Sequence, residues 1–432
     1  MSRTSGDEWS APSPAPPGRP ERRIYLDSVM AQLWSRPGQT SNETSHYRML
    51  PSARVPTLVV PRRPRRATAS LIRSYKSSAG PLLRFTLQGL ALAARLGVTD
   101  LLPSTTSVTT GWGSAGPPEN YGLGGGDLDI VSYLESALNR PLCVGLYTSP
   151  PRANRKPVLS LVSPRGELVG FVKIGTSSLT RDLVTHEAQA LQRMEDATLK
   201  RLLVPPLLLH ATWRDYVVLV QGALQPRGHR SPSRALVVAA MRELSEVEGV
   251  GVESVVDGPY VTRLEERMAG LPDTAMAARL RVALSMVRSR RSHGQMRVGA
   301  WHGDWTPWNM GPAAQRIALW DWERLEFGVP VGFDLLHYDL QTLIVREGCD
   351  PSVAARSVVG SAPELLAEMG TRTSPQEARL VSMLYLLEMG TRYLHDRQKE
   401  AGAKLGDLNS WLLPTLDDAL EAMARDGHGA AG

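Results

Sequence analysis

Between residues 301 and 323 the chain places an aspartate, an asparagine five residues on, and a second aspartate twelve residues after that. They stand in Trp301-His302-Gly303-Asp304-Trp305-Thr306-Pro307-Trp308-Asn309 and Trp320-Asp321-Trp322-Glu323, between short apolar runs. This is the order of groups that phosphoryl transfer from a metal-bound nucleotide needs. Asp304 would accept the proton of an attacking hydroxyl. Asn309 and Asp321 would hold the metal ions that neutralise charge on the triphosphate.

Three features nearer the N-terminus complete this set. Lys173, in Phe171-Val172-Lys173-Ile174, falls on a strand whose alternation turns it away from Val172 and toward a cleft. Glu187, in Thr185-His186-Glu187-Ala188, falls on the helix that follows, and a Lys–Glu pair of this kind fixes an ammonium against the α- and β-phosphates. The strand Tyr216 to Gly222 ends at Gln221-Gly222, where an adenine ring would lie against backbone groups. Taken singly, each residue has a plainer explanation. An aspartate before a turn is commonly a cap, strand lysines are usually solvated, and helix glutamates mostly face water. Five matching groups in the right order outweigh those explanations.

Neighbouring residues read as support. His302 is a hydrogen-bonding residue of the loop, Asp334 ties that loop down, and the five tryptophans from Trp301 to Trp322 are mainly packing. His210, His229 and His337 have no spacing that suggests a metal site.

The elements that must position these groups change character along the chain. Residues 1–24 are rich in Pro, Ser and Arg without apolar periodicity, the pattern of a disordered tail. An amphipathic stretch, Tyr25 to Trp34, precedes two short proline-bounded strands, Tyr47 to Pro51 and Thr57 to Pro61. Arg62-Arg63-Pro64-Arg65-Arg66 leads into Ala67 to Ser78, and Pro81 to Leu96 has helical spacing that stops at Gly97. Pro103 to Gly126, with seven glycines and three prolines, reads as a loop and a boundary. Its Gly111-Trp112-Gly113-Ser114-Ala115-Gly116 matches a nucleotide fingerprint, but Pro117-Pro118 follows where a helix would have to open, so it reads as a plain loop.

From Asp127 the pattern is regular. Asp127 or Asp129 caps a helix through Leu138, strands follow at Leu142–Leu146, Val158–Val162 and Leu168–Ile174, and a helix covers Thr180 to Met194. Two more strands, Val204–Leu209 and Tyr216–Val220, complete a small antiparallel sheet. Beyond residue 233 almost everything reads as helix, from Arg234–Leu244 to Leu412–Arg425. A small sheet with one helix, then a helical body, is an α+β pattern of two lobes.

With these residues in hand, the chain resembles the aminoglycoside phosphotransferase/choline kinase-like family, of the protein-kinase-like fold. The likeness rests on His302-Gly303-Asp304 with Asn309, on Trp320-Asp321-Trp322-Glu323, and on Gly328-Val329-Pro330 with Asp334-Leu335. It covers about residues 127–425. With the composition shifts outside that range, the chain divides into five parts: a tail (1–24), a basic N-terminal extension (25–126), a nucleotide-binding N-lobe (127–222), a helical C-lobe with the catalytic and acceptor site (223–425), and a short tail (426–432). One departure stands out. The family often carries a glycine-bearing phosphate loop between the first two strands, whereas Tyr147 to Pro157 has no glycine and contains Pro150-Pro151. Arg152, Arg155 and Lys156 would supply positive charge there instead.

Composition excludes several classes. With 42% hydrophobic and 21% charged residues the chain is an ordinary globular one. No apolar run reaches the ~18 residues of a membrane span, and no signal core follows Met1, so a cytoplasmic protein is expected. Cys143 and Cys349 alone cannot make a disulfide framework or a cysteine metal site. The net charge of +6 is local: residues 1–76 hold thirteen lysines and arginines against five acidic residues. Any anionic partner therefore belongs to this extension, and without interleaved aromatics or a recognised motif nucleic acid is disfavoured. Between Arg242 and Asp273 eight acidic residues face three arginines, the pattern of solvated helix faces, with a cationic acceptor as the alternative.

The expectation is an ATP- and Mg²⁺-dependent phosphotransferase acting on a hydroxyl of a small molecule or saccharide, the acceptor class following from the resemblance. The alternatives are a peptide or protein kinase of a biosynthetic pathway, or a non-catalytic nucleotide-binding module.

Overall fold

The computed structural model describes residues 21–34, 44–52, 56–75, 81–101, 105–109, 128–148, 154–224, 231–289, 294–372, 374–396 and 408–429. The glycine-rich match at 111–116, Asp127, Pro150-Pro151 and Arg152 lie outside them. From the N-terminus the elements are α1 (Glu21–Trp34), β1 (Thr44–Leu50), β2 (Leu58–Pro61), α2 (Arg65–Ser74), α3 (Pro81–Leu96) and β3 (Thr105–Thr109). Next come α4 (Ile130–Leu138), β4 (Cys143–Tyr147), β5 (Val158–Val162), β6 (Leu168–Gly175) and α5 (Ser178–Glu195). β7 (Leu202–Leu203), β8 (Leu207–Trp213), β9 (Tyr216–Gly222), α6 (Arg234–Ser245), β10 (Gly251–Ser254), α7 (Pro259–Ala269) and α8 (Ala275–Arg288) follow. The rest is β11 (Gln295–Trp301), β12 (Met310–Ala313), β13 (Arg316–Leu319), β14 (Glu326–Pro330), α9 (Phe333–Gln341), α10 (Pro351–Gly360), α11 (Ala362–Glu368), α12 (Pro375–His395) and α13 (Leu408–Gly429). A π-helical turn, Thr342–Arg346, continues α9.

The described residues divide between two compact units, bounded by Met1–Pro151, Arg155–Ala188 and Pro206–Ala223 in the first and by Arg152–Asn154, Gln189–Pro205 and Leu224–Gly432 in the second. The first is built on one antiparallel sheet of eight strands in the order β3-β1-β2-β4-β5-β6-β9-β8. Strand alternation sends side chains to both faces. Met49, Val59, Val144 and Val172 pack with Leu26, Leu33 and Trp34 of α1 and Leu134 of α4. Leu50, Leu58, Val60 and Val162 pack instead with Leu71 and Ile72 of α2 and Leu87, Ala91 and Ala94 of α3.

This sheet is larger than the sequence suggests. β2 pairs with β4, Leu58 opposite Tyr147, so strands of the N-terminal extension continue the sheet. The 103–126 segment reads as loop, but Thr105–Thr109 pairs with β1 as an edge strand. Its run of β-branched residues favours extension, and glycine and proline content hid it. Asp129 caps α4, its carboxylate accepting from the amides of Val131 (2.9 Å) and Ser132 (3.2 Å).

The second unit is mainly helical, and its helices fall close to their expected places. It also holds two small sheets that the sequence does not announce, β10-β11-β14 and β12-β13-β7, the latter with β7 parallel to β13. Ser374 and Glu377 form a reciprocal cap on α12, which is buried over most of its length. No helix among the described residues is long and apolar enough to cross a membrane.

Candidate active site

In the second unit, the loop after β11 carries Asp304. Two anchors shape it. The carboxylate of Asp334, at the start of α9, accepts from the backbone amides of His302 (2.8 Å) and Gly303 (3.1 Å). Gly303 itself has φ +81°, and a Cβ there would stand 2.4 Å from the Arg324 carbonyl oxygen, so only glycine fits the turn. Arg392 of α12 donates to the Gly303 carbonyl at 2.6 Å. The His302 ring is buried and packs edge-on to Trp322, with centroids 5.0 Å apart.

The twelve-residue interval from Asn309 to Asp321 is a hairpin. β12 and β13 pair Met310 with Leu319, and the Trp320 amide donates to the Asn309 carbonyl at 3.0 Å. Asn309 therefore stands opposite Trp320, one residue from Asp321. Asp321 has φ +74°, a backbone conformation that a non-glycine residue holds at a cost of about 1–3 kcal/mol. Trp322 is fixed through its indole N–H on the Leu319 carbonyl at 2.9 Å.

Asp304 is gripped on both oxygens. The Asn309 side-chain amide donates to its Oδ2 at 2.8 Å and to its backbone carbonyl at 3.0 Å. His337 Nε2 lies 3.3 Å from Oδ1, and His337 Nδ1 lies 3.1 Å from the Tyr385 hydroxyl. Burial pushes the Asp304 carboxyl upward, but the His337 contact, helped by Arg392, outweighs it and holds the group below the usual carboxylate range. Burial lowers His337, while Tyr385 is pushed up and keeps its proton. Of the contributions that lower Asp304, the hydrogen bond from His337 is the largest. The tautomer that satisfies both contacts has Nε2–H donating to Asp304 and Nδ1 accepting from Tyr385. The Asp304 side chain is still 36% exposed, open to a reactant. It lines a cavity of about 110 Å³ with His337, Gln341, Met389, Arg392 and Tyr393.

His337 is the residue that sequence reasoning missed. Metal-ligand spacing is the wrong test for a histidine that bonds to a carboxylate. Its signal is the helical step from Asp334: three residues on, it shares the face of α9 that holds the Asp304 loop.

The acidic segment 242–273 is largely committed to structure. Glu243 accepts from the amides of Lys200, Arg201 and Leu202, Glu248 pairs with Arg193, Glu265 with Arg288 and Glu246 with Arg297.

In the first unit, Lys173 lies mid-strand in β6 and Glu187 on α5. Lys173 Nζ donates to a Glu187 carboxylate oxygen at 2.6 Å, with the lysine side chain 9% exposed and the glutamate fully buried. Val172 and Ile174 point into the core on the other face of the sheet. Gln221 and Gly222 end β9. The Gly222 amide donates to the Pro206 carbonyl at 2.8 Å and the Ala223 amide to Val169 at 3.1 Å. Both backbone donors are thus used within the sheet, while the buried Gln221 Oε1 has no hydrogen-bond partner among the described residues. Arg155, expected to supply charge to phosphate, stacks its guanidinium on the Tyr25 ring, 3.3 Å from the centroid.

No protein-family model matches the chain, and no curated protein matches it. Solved structures do. A putative fructosamine-3-kinase from Haemophilus somnus 129PT is 11% identical, with 67% of this chain and 96% of that one covered, at a TM-score of 0.43. A putative aminoglycoside phosphotransferase from Ralstonia eutropha JMP134 is 13% identical, over 68% and 97% of the two chains, with a TM-score of 0.41. A thermostable mutant of aminoglycoside phosphotransferase APH(4)-Ia, solved with ADP and hygromycin B, is 13% identical over 68% and 98%, with a TM-score of 0.42. The chain is similar to these proteins in its path, and its chemistry rests on its own residues.

Proposed function

We propose that the protein is an ATP- and Mg²⁺-dependent phosphotransferase that moves the γ-phosphoryl group to a hydroxyl of a small molecule or saccharide. The observation that carries this is the grip on Asp304. A carboxylate held on both oxygens, kept ionised at neutral pH and open on one side is a positioned general base.

In this reading Asp304 takes the proton of the acceptor hydroxyl as its oxygen bonds to the γ-phosphorus. The bond from that phosphorus to the β–γ bridging oxygen breaks, and ADP leaves. The cavity beside Asp304 would seat the hydroxyl-bearing end of the acceptor. Lys173, kept charged and aimed by Glu187, would orient the α- and β-phosphates. Asn309 and Asp321 suit Mg²⁺ by their chemistry, because Asn309 spends its N–H donors on Asp304 and keeps its Oδ1 as a hard oxygen donor, and the hairpin that pairs Asn309 with Trp320 leads directly to the Asp321 carboxylate. A cation held there would offset the negative charge of the phosphates.

Nucleotide turnover by the wild type and Asp304→Ala, with Mg²⁺ and a panel of sugars, aminoglycosides, amino alcohols and peptides, tests this reading. Acceptor-dependent ADP release that Asp304→Ala abolishes supports it and identifies the substrate class. ATP binding with no Asp304-dependent turnover on any acceptor contradicts it.

A further inference from the structure

The first unit carries a feature that phosphoryl transfer does not use. α3 is apolar on two sides. Leu87, Ala91 and Ala94 turn inward with α2. On the opposite side, at i, i+4, i+7 and i+11, stand Phe85, Gly89, Leu92 and Leu96. Phe85 is 72% exposed, Leu92 58% and Leu96 65%, and a Cβ on Gly89 would meet nothing. Val98, 55% exposed, follows directly. Large apolar side chains aligned in water on one face of a helix suit a surface that is covered in use.

At the C-terminal end of this stripe lies a cavity of about 710 Å³ lined by Arg63, Arg65, Arg66 and Arg95 with Pro64 and Pro164. The two features are joined. Arg95 precedes Leu96, and the guanidinium of Arg65 lies against Gly97, 2.4 Å from where a Cβ would be. The arginines exceed the acids available to them. Asp100 serves Arg65 at 2.9 Å and Arg48 and Arg62 at 3.4 Å, and Arg65, followed by Arg62, holds its carboxyl below the usual range. Arg63, Arg66 and Arg95 have no acidic partner among the described residues. Glu167, in the turn after Pro164, accepts from Ser163 and is offset by the neighbouring Arg165.

We infer that this face docks on the surface of an anionic phospholipid bilayer. Phe85, Leu92 and Leu96 would enter the interfacial layer, and Arg63, Arg66 and Arg95 would meet lipid phosphates. Charge and apolar area on one helix pair are the two contributions that hold a protein on such a surface without spanning it. A single-stranded nucleic acid would call for aromatic platforms among the arginines, and the cavity lining is arginine and proline.

Co-sedimentation of the full chain with vesicles of phosphatidylcholine alone, and of phosphatidylcholine with equimolar phosphatidylglycerol, is the test. The expected result is binding to the anionic vesicles only, released as salt is raised. Each exposed arginine contributes about fivefold near such a surface, so the triple variant Arg63→Ala/Arg66→Ala/Arg95→Ala should partition about a hundredfold more weakly. Leu92→Ser/Leu96→Ser should also weaken binding at least about tenfold, whereas Val282→Ser, an exposed apolar site on α8, should bind as wild type. Wild-type salt release and the serine variants decide the matter even if the triple variant fails to fold. No binding, or equal binding to both vesicles, overturns the inference. So does binding that survives Leu92→Ser/Leu96→Ser, which would mark a soluble polyanion site. Self-association abolished by those serines, without vesicle binding, would overturn it in favour of a second copy of the chain.

Discussion

His337 Nε2 lies 3.3 Å from Asp304 Oδ1, and the same ring meets the Tyr385 hydroxyl at 3.1 Å through Nδ1. A buried histidine thus links α12 to the carboxylate read as the catalytic base. His337→Ala removes a donor to a charged group, worth about tenfold in kcat, with the KM for ATP little changed. The sign of the pH effect follows from the donor. Without it the Asp304 pKa rises, so the acid limb of the rate profile moves to higher pH. An unmoved acid limb would show that His337 does not act on Asp304.

The Lys173–Glu187 pair separates stability from function. Glu187→Ala leaves a buried ammonium without its partner and should cost about 3–5 kcal/mol in urea unfolding. Replacing both residues by methionine removes the stranded charge and should recover most of that loss. It should not recover ATP binding. A double variant that binds ATP as well as wild type would assign the pair a purely structural role.

Gly303→Ala combines a positive φ with a Cβ 2.4 Å from a carbonyl oxygen. The loop cannot keep its shape, and the variant should lose at least about 1–3 kcal/mol of stability together with most turnover. Thermal unfolding and ADP release on one preparation check both. Wild-type behaviour in either would mean that the loop tolerates a different path.

Legibility from sequence followed the range of the forces involved. Asp304, Asn309 and Asp321 stood out because their intervals are set locally, by a turn and a short hairpin. Lys173 and Glu187 were readable because strand alternation and helix spacing each fix a face. The strands Gly251–Ser254, Met310–Ala313 and Arg316–Leu319 were not, since four residues offer too little alternation to mark a strand. Thr105–Thr109 was hidden by the glycines after it. The contacts of His337 and Arg392 span 33 and 89 residues of chain, and of the two only His337 has a local signal, its helical step from Asp334.

Asp304 is proposed as the base of a phosphoryl transfer. Asp304→Asn keeps the size of the side chain and an oxygen for Asn309, so it isolates the charge. ATP stabilisation in a thermal shift and acceptor-dependent ADP release, measured together for wild type and Asp304→Asn, form the direct test. The expected result is retained ATP stabilisation with turnover reduced by about 10²–10⁴-fold. Undiminished turnover in Asp304→Asn would contradict it.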